Sequence, residues 1–184
     1  MIVRKIIFVS LFLSVFTLVK GDEERAPYPY VITDIWGSFY FKMIPAKNGY
    51  YEREKGIGVA YAVKSGESDK EIWRVDGWYS FETFLSHDGI YLVRLGNWPR
   101  GHKPDKNHVG VAFYKSGKLL KMYSTKDLIV NESKVQPSVS HYEYLNRVVK
   151  PGFVAGYGYQ FQLTTVDNVK YVFNIKTGKV VSRR

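Results

Sequence analysis

Three segments of this chain repeat one strand–turn–strand pattern, and that repetition constrains the fold more than any other feature. Each segment has an apolar strand end, two polar residues, a glycine and then a strand of alternating apolar residues. Their sequences are LSHDGIYLVR at 85–94, FYKSGKLLKMYS at 113–124 and FNIKTGKVVSR at 173–183. Short alternating runs joined at glycine turns are typical of β-hairpins. Each such hairpin needs neighbouring hairpins to bury its faces, so the pattern predicts an antiparallel meander.

The aromatic content agrees with this prediction. The chain has 15 Tyr, 11 Phe and 4 Trp, residues that suit a pleated and half-buried surface. We expect an all-β fold with one or two short helices: an antiparallel meander in the form of a partial-propeller-like sheet, a sandwich or an open barrel. A complete propeller of at least four four-stranded blades needs more chain than 184 residues provide.

Local motifs place the turns and the helices. Asn48-Gly49 predicts a type I′ hairpin whose return strand begins at Tyr50 and Tyr51. A brief helix is expected from Ser124 or Thr125 to Leu128, and a second at 138–148 beginning at Ser140. Residues 98–108 contain two prolines, a glycine and seven polar or charged residues, which indicates a long exposed loop.

The N-terminus has the three parts of a secretory signal peptide. Arg4 and Lys5 precede an apolar run from Ile6 to Val19, and Gly21 supplies a small residue before acidic positions. The run is too short to span a bilayer comfortably, because a membrane helix needs about 20 apolar residues. We expect a signal peptide at 1–21, an extended N-terminal arm at 22–36 and a single β-rich domain at 37–184. The mature protein would be periplasmic or extracellular, with no transmembrane span after signal cleavage.

Composition excludes several classes of function. The absence of cysteine rules out a disulfide scaffold, thiol catalysis, cysteine-ligated zinc and lipid attachment at a cysteine. The formal net charge is +10, but the basic residues are spread along the chain. A positive surface can attract anionic partners or simply maintain solubility. We expect no nucleic-acid binding and no cofactor.

Four blocks of the sequence carry a resemblance to known proteins: LSHDGIYLVRLGNWP, VAFYKSGKLLKMYSTKDLI, SVSHYEYL and LTTVDNVKYVFNIKTGKVV. In this order they resemble a group of uncharacterised exported bacterial proteins with short β-propeller-like strand repeats. The resemblance covers the region from Trp78 to Val181. It implies a fold and an exported location, and it implies no activity or site residue.

No catalytic motif is present. The chain lacks H-E-x-x-H and G-x-S-x-G, and its glycine pairs lack the third glycine of a phosphate-binding loop. His102, Asp105 and His108 share the long loop and are suitable zinc ligands, but solvated side chains of an exposed loop need no metal to explain them. We therefore predict no catalytic residue and no metal site.

The candidate binding residues are Trp78, Arg94, Trp98 and Arg100, which lie around one hairpin and its following loop. Tryptophan and arginine dominate binding hot spots because they bury a large area and make directed hydrogen bonds. Ordinary strand alternation is the competing explanation. The leading hypothesis is an exported, non-catalytic binding or structural module of the bacterial cell envelope that recognises a protein or envelope component through its loops. The alternatives are a periplasmic hydrolase whose catalytic groups converge from distant strands, or a binder of anionic polymers.

Overall fold

Twelve strands form three four-stranded antiparallel sheets in the computed structural model, which describes residues 24–48, 55–156 and 158–184. Sheet I contains β1 (Tyr30–Thr33), β2 (Phe39–Ile44), β3 (Ile57–Ala62) and β4 (Lys70–Asp76). Sheet II contains β5 (Thr83–Leu85), β6 (Tyr91–Leu95), β7 (Val109–Lys115) and β8 (Lys118–Ser124). Sheet III contains β9 (Gly152–Phe153), β10 (Gln160–Thr164), β11 (Lys170–Asn174) and β12 (Lys179–Arg183).

Each sheet is a meander in which strands that are consecutive in the sequence are paired. This arrangement confirms the predicted all-β, partial-propeller-like class. The repeated segments form hairpins: their turns join β5 to β6, β7 to β8 and β11 to β12. Gly117 has φ +79, and a Cβ there would lie 2.2 Å from the carbonyl oxygen of Arg74, so this turn requires glycine.

Sheet II lies between the other two sheets and supplies both hydrophobic clusters. On one face, Leu92 and Ala112 pack with Phe41 and Trp73 of sheet I. On the other face, Val93, Leu95 and Phe113 pack with side chains of sheet III, including Phe161 and Phe173. The central strands β6 and β7 are covered on both faces of the sheet, which explains their near-continuous apolar runs. Each fully buried large side chain contributes about 1.5–3 kcal/mol.

The predicted N-terminal features fall partly outside the described residues. The signal peptide at 1–21 lies outside them, as do Gly49 and the return strand expected at Tyr50 and Tyr51. Within the range 22–36, the strand β1 pairs with β2, and Tyr30 and Ile32 pack against the cluster between sheets I and II.

The first of the two predicted helices is confirmed and the second is wrong. Helix α1 (Thr125–Leu128) begins after Ser124, whose hydroxyl accepts the N–H of Asp127 while the Asp127 carboxylate accepts the N–H of Ser124. A single 3-10 turn follows at Glu132–Lys134. Residues 138–148 contain no helix and instead make isolated β-bridges.

The physical reason for that error is burial between sheets II and III. Tyr142 and Tyr144, two residues apart, are both almost fully buried in the second cluster. Extended backbone allows both rings to enter the core, and their hydroxyls form hydrogen bonds with residues distant in the sequence.

No helix in the described parts of the chain is long and apolar enough to cross a membrane.

Candidate functional site

A groove of about 320 Å³ opens where β6 leaves sheet II and continues into the loop 96–108. We call it the Trp98 groove. Three of the four predicted binding residues line it, and the fourth, Trp78, contacts one of them. The described lining contains two arginines, a histidine and no carboxylate. Its residues are Arg94, Asn97, Trp98, Pro99, Arg100, Asn107, His108 and Val109.

Arg94 is held in the groove by packing on an aromatic ring. Its Cζ lies 4.5 Å from the ring centroid of Trp78, which is itself buried in the cluster between sheets I and II. The Nε of Arg94 is buried and has no hydrogen-bond partner among the described residues. A buried donor without an acceptor carries a free-energy cost, whereas a cation over an indole is stabilised. The Arg94 guanidinium is therefore fixed in position along the wall of the groove.

Trp98 is fixed by an aromatic stack. Its ring centroid is 3.8 Å from that of His141, and the two planes differ by 11°. Backbone contacts join the same two segments: Tyr142 N donates to Pro99 O at 3.3 Å, and Gly101 N donates to Ser140 O at 3.0 Å. The segment around residue 141 thus clamps the loop that carries Trp98.

The start of the loop is also rigid. Asn97 Oδ1 accepts the N–H of Phe81 at 3.1 Å, and Asn97 Nδ2 donates to Tyr79 O at 2.9 Å. The Tyr144 hydroxyl accepts the N–H of Gly96 at 3.1 Å and donates to Gly110 O at 2.8 Å. Burial raises the pKa of Tyr144, so this hydroxyl stays protonated and remains a donor.

His108 lines the groove and lies at one end of a series of hydrogen-bonded hydroxyl groups. Its Nδ1 lies 2.9 Å from the Tyr142 hydroxyl, which lies 2.6 Å from Thr125 Oγ1. Thr125 Oγ1 in turn donates to the carbonyl oxygen of Asp105 at 3.2 Å. Burial raises the pKa of Tyr142, which keeps the middle hydroxyl neutral. These hydrogen bonds connect the imidazole of His108 to the N-terminus of α1.

A second groove of about 290 Å³ lies on the other side of Trp98 and differs in charge. Two arginines, Arg25 and Arg147, line it, and Arg147 forms ion pairs with Glu82 and Glu143. Burial lowers the pKa of Arg147, but these two carboxylates outweigh that effect and raise it. Arg147 is therefore neutralised within the fold, whereas no carboxylate among the described residues forms an ion pair with Arg94. Asn97 and Trp98 line both grooves.

The three possible metal ligands of the long loop do not meet. His102 Nε2 lies 3.3 Å from Val139 O, and His108 is bonded to Tyr142. The Asp105 carboxylate accepts the N–H of Asn107, which is the main reason that the pKa of Asp105 is lowered. Within residues 24–48, 55–156 and 158–184, no group of three or more His, Asp or Glu side chains is arranged to hold a metal ion.

Sequence reasoning did not select Asn97, His108 or His141 for the binding surface. Asn97 precedes Trp98 and could have been included by proximity. His141 has no such signal, because only the folded chain brings its ring onto Trp98.

Comparisons with known proteins add little to this geometry. No protein-family model and no curated protein matches the chain. One similar solved structure is the crystal structure of the C-terminal WD40 domain of Sif2, with a TM-score of 0.37 and 15% sequence identity. The match covers 80% of this chain and 33% of that one, so this chain spans about a third of the WD40 structure. The propeller-like description used here rests on the three sheets themselves.

Proposed function

We propose that this chain is a non-catalytic binding module of the cell envelope, exported by residues 1–21, that recognises a protein partner through the Trp98 groove. The observation that carries the proposal is Arg94, a guanidinium that lines the Trp98 groove and is fixed over Trp78. The sequence pattern of residues 1–21 supports the exported location.

The groove has the composition of a binding hot spot. It places the indole of Trp98 beside the side chains of Arg94 and Arg100. Residues of these types contribute most when they lie in a preorganised site, because little conformational entropy is then lost on binding. The stack on His141 and the hydrogen bonds of Asn97 provide that preorganisation.

The charge of the groove indicates what the partner presents. Arg94, Arg100 and His108 line the groove without a carboxylate among the described lining residues. A guanidinium pairs with a carboxylate through two parallel N–H···O bonds. The partner therefore presents an acidic side chain to Arg94 and apolar surface to Trp98.

Substitution of the groove residues tests this proposal. A partner is first isolated by affinity capture from the native envelope fraction, and its affinity is then measured by isothermal titration. Trp98→Ala and Arg94→Met are each expected to weaken binding by about tenfold or more, because each removes a central contact. Arg100→Ala is expected to weaken binding less, because Arg100 is exposed.

The matched control is Trp36→Ala. Trp36 is 70% exposed at the turn between β1 and β2, and it does not line the Trp98 groove. Its substitution should leave the affinity unchanged. Wild-type affinity in all three groove variants, or a loss confined to Trp36→Ala, would refute the placement of the site. Recovery of the protein in the cytosol with its leader intact would refute the export part of the proposal.

A further inference from the structure

The outer edge strands of sheets II and III border one groove. β8 is the last strand of sheet II and β12 is the last strand of sheet III, so each pairs on one side only. A groove of about 370 Å³ between them is lined by residues of both strands, including Lys121, Met122, Val180 and Arg183. We call the exposed side chains of β8 and β12 the edge-strand surface.

This surface and its flanking residues are strongly basic. The stretches 109–126 and 168–184 contain nine lysines and arginines and no acidic residue. One of the nine, Lys126, forms an ion pair with Glu132. Asp127 lines the groove, but its carboxylate accepts hydrogen bonds from the N–H and hydroxyl of Ser124. The edge-strand surface therefore presents a field that attracts anions.

Large apolar side chains are interleaved with these cations. Leu119 is 53% exposed, Met122 is 46% exposed and Val181 is 55% exposed, and Leu120 and Val180 are exposed as well. Lysines on an edge strand prevent edge-to-edge aggregation. That role explains the cations, but it does not explain exposed leucine, methionine and valine between them, which raise the risk of aggregation.

The presence of both basic and apolar side chains distinguishes between the possible ligands of this surface. A nucleic acid or an acidic polysaccharide would pair with the lysines but would offer no apolar phase to the leucine and methionine side chains. An anionic bilayer supplies both, since lysine and arginine contact the headgroups while apolar side chains reach the acyl boundary.

We propose that the edge-strand surface docks on the surface of an anionic phospholipid bilayer. It shares no lining residue with the Trp98 groove, so the chain could bind lipid and a protein partner at the same time. Lys121 and Arg183 contact lipid phosphates, and Leu119, Met122 and Val181 enter the boundary between headgroups and acyl chains.

Vesicle co-sedimentation tests the proposal with the protein as it is isolated from its host. Vesicles of phosphatidylcholine alone are compared with vesicles that also contain phosphatidylglycerol. We expect binding to the anionic vesicles to exceed binding to neutral ones by about tenfold, and to weaken as salt rises. All variants keep the same N-terminal residues, so any lipid binding by that region is common to every sample.

Two triple variants separate the two contributions. Lys121→Gln with Lys179→Gln and Arg183→Gln should weaken binding by about tenfold or more. Leu119→Ser with Met122→Ser and Val181→Ser keeps the charge and should also weaken binding, because it removes the apolar contact. The control is Lys42→Gln with Lys64→Gln and Lys70→Gln, which removes three exposed cations of the sheet I region and should leave binding unchanged.

Four results would overturn the proposal. Equal binding to neutral and anionic vesicles would exclude an electrostatic component, and an equal loss in the control would show that net charge alone matters. If the serine variant bound vesicles like wild type while the glutamine variant lost binding to both vesicles and heparin, the surface would be a polyanion site. Sedimentation velocity on each sample, with unchanged circular dichroism, shows whether the serine substitutions instead dissociate a dimer of this chain, which would also refute lipid docking.

Discussion

The guanidinium of Arg94 lies over the indole of Trp78, with its Cζ 4.5 Å from the ring centroid. Trp78 follows the last strand of sheet I and Arg94 belongs to β6 of sheet II, so the contact bridges the two sheets. The buried Nε has no acceptor among the described residues. The buried donor without an acceptor lowers the stability of the fold, whereas the charged guanidinium serves binding.

Replacing Arg94 should separate its effect on the stability of the fold from its effect on partner binding. Arg94→Met fills a similar volume without a charge or a buried donor, so we expect the free energy of unfolding to change by less than about 1 kcal/mol or to rise. Partner binding should nevertheless fall. Urea unfolding followed by tryptophan fluorescence measures the first quantity. Arg94→Lys is the control. It keeps the positive charge but lacks the planar guanidinium that makes two parallel hydrogen bonds, so it should also bind the partner poorly. A loss of stability above about 2 kcal/mol in Arg94→Met would show that Arg94 is structural.

The loop that carries Trp98 should depend on glycine at position 96. A Cβ on Gly96 would lie 1.7 Å from the carbonyl oxygen of Val109, and Gly96 N donates to Gly110 O at 3.0 Å. Gly96→Ala must push β6 and β7 apart at this end of sheet II. We expect it to lower the free energy of unfolding by about 3 kcal/mol or more, measured by urea denaturation.

Gly152→Ala is the matched substitution. No atom lies within 4 Å of a Cβ at Gly152, so we expect a change below about 1 kcal/mol. If the two alanine variants were equally stable, close approach at Gly96 would not be what shapes the loop.

Stability should fall in acid because of Asp167. Its carboxylate accepts the N–H groups of Val130 and Asn131, both at 2.8 Å, and the hydroxyl of Thr165 at 2.5 Å. Burial raises the pKa of Asp167, but these hydrogen bonds outweigh burial and lower it. Because the folded pKa lies below the unfolded value of about 3.9, the stabilisation is complete above about pH 5 and is lost as the pH falls through the folded pKa.

Asp167→Asn should therefore lower the free energy of unfolding by about 1 kcal/mol at neutral pH. The difference from wild type should shrink as the pH falls through the folded pKa of Asp167, since the aspartic acid then becomes uncharged like the asparagine. Urea unfolding across this range measures both effects. Asp76→Asn is the control, because this exposed carboxylate has no hydrogen bond among the described residues, and its substitution should have little effect. A difference for Asp167→Asn that is independent of pH would contradict the assignment.

Features that depend on a few adjacent residues were predictable from the sequence. Alternating apolar residues and the glycine turns at 89, 117 and 178 specify hairpins, because side-chain direction and backbone φ are local properties. The helix cap at Ser124 is equally local, since its partner Asp127 is three residues away. The all-β class and the position of the long loop follow from such signals.

The tertiary structure alone decided how the hairpins are arranged and what surrounds each candidate residue. Nothing near position 141 indicates that His141 stacks on Trp98, and nothing near position 142 indicates that burial between two sheets would exclude a helix there. Strand alternation, the competing explanation for Arg94, would leave its side chain exposed on a strand, but it is half-buried on the indole of Trp78. Pattern acts over a few residues, whereas burial depends on which distant surfaces meet, and only the folded chain brings those surfaces together.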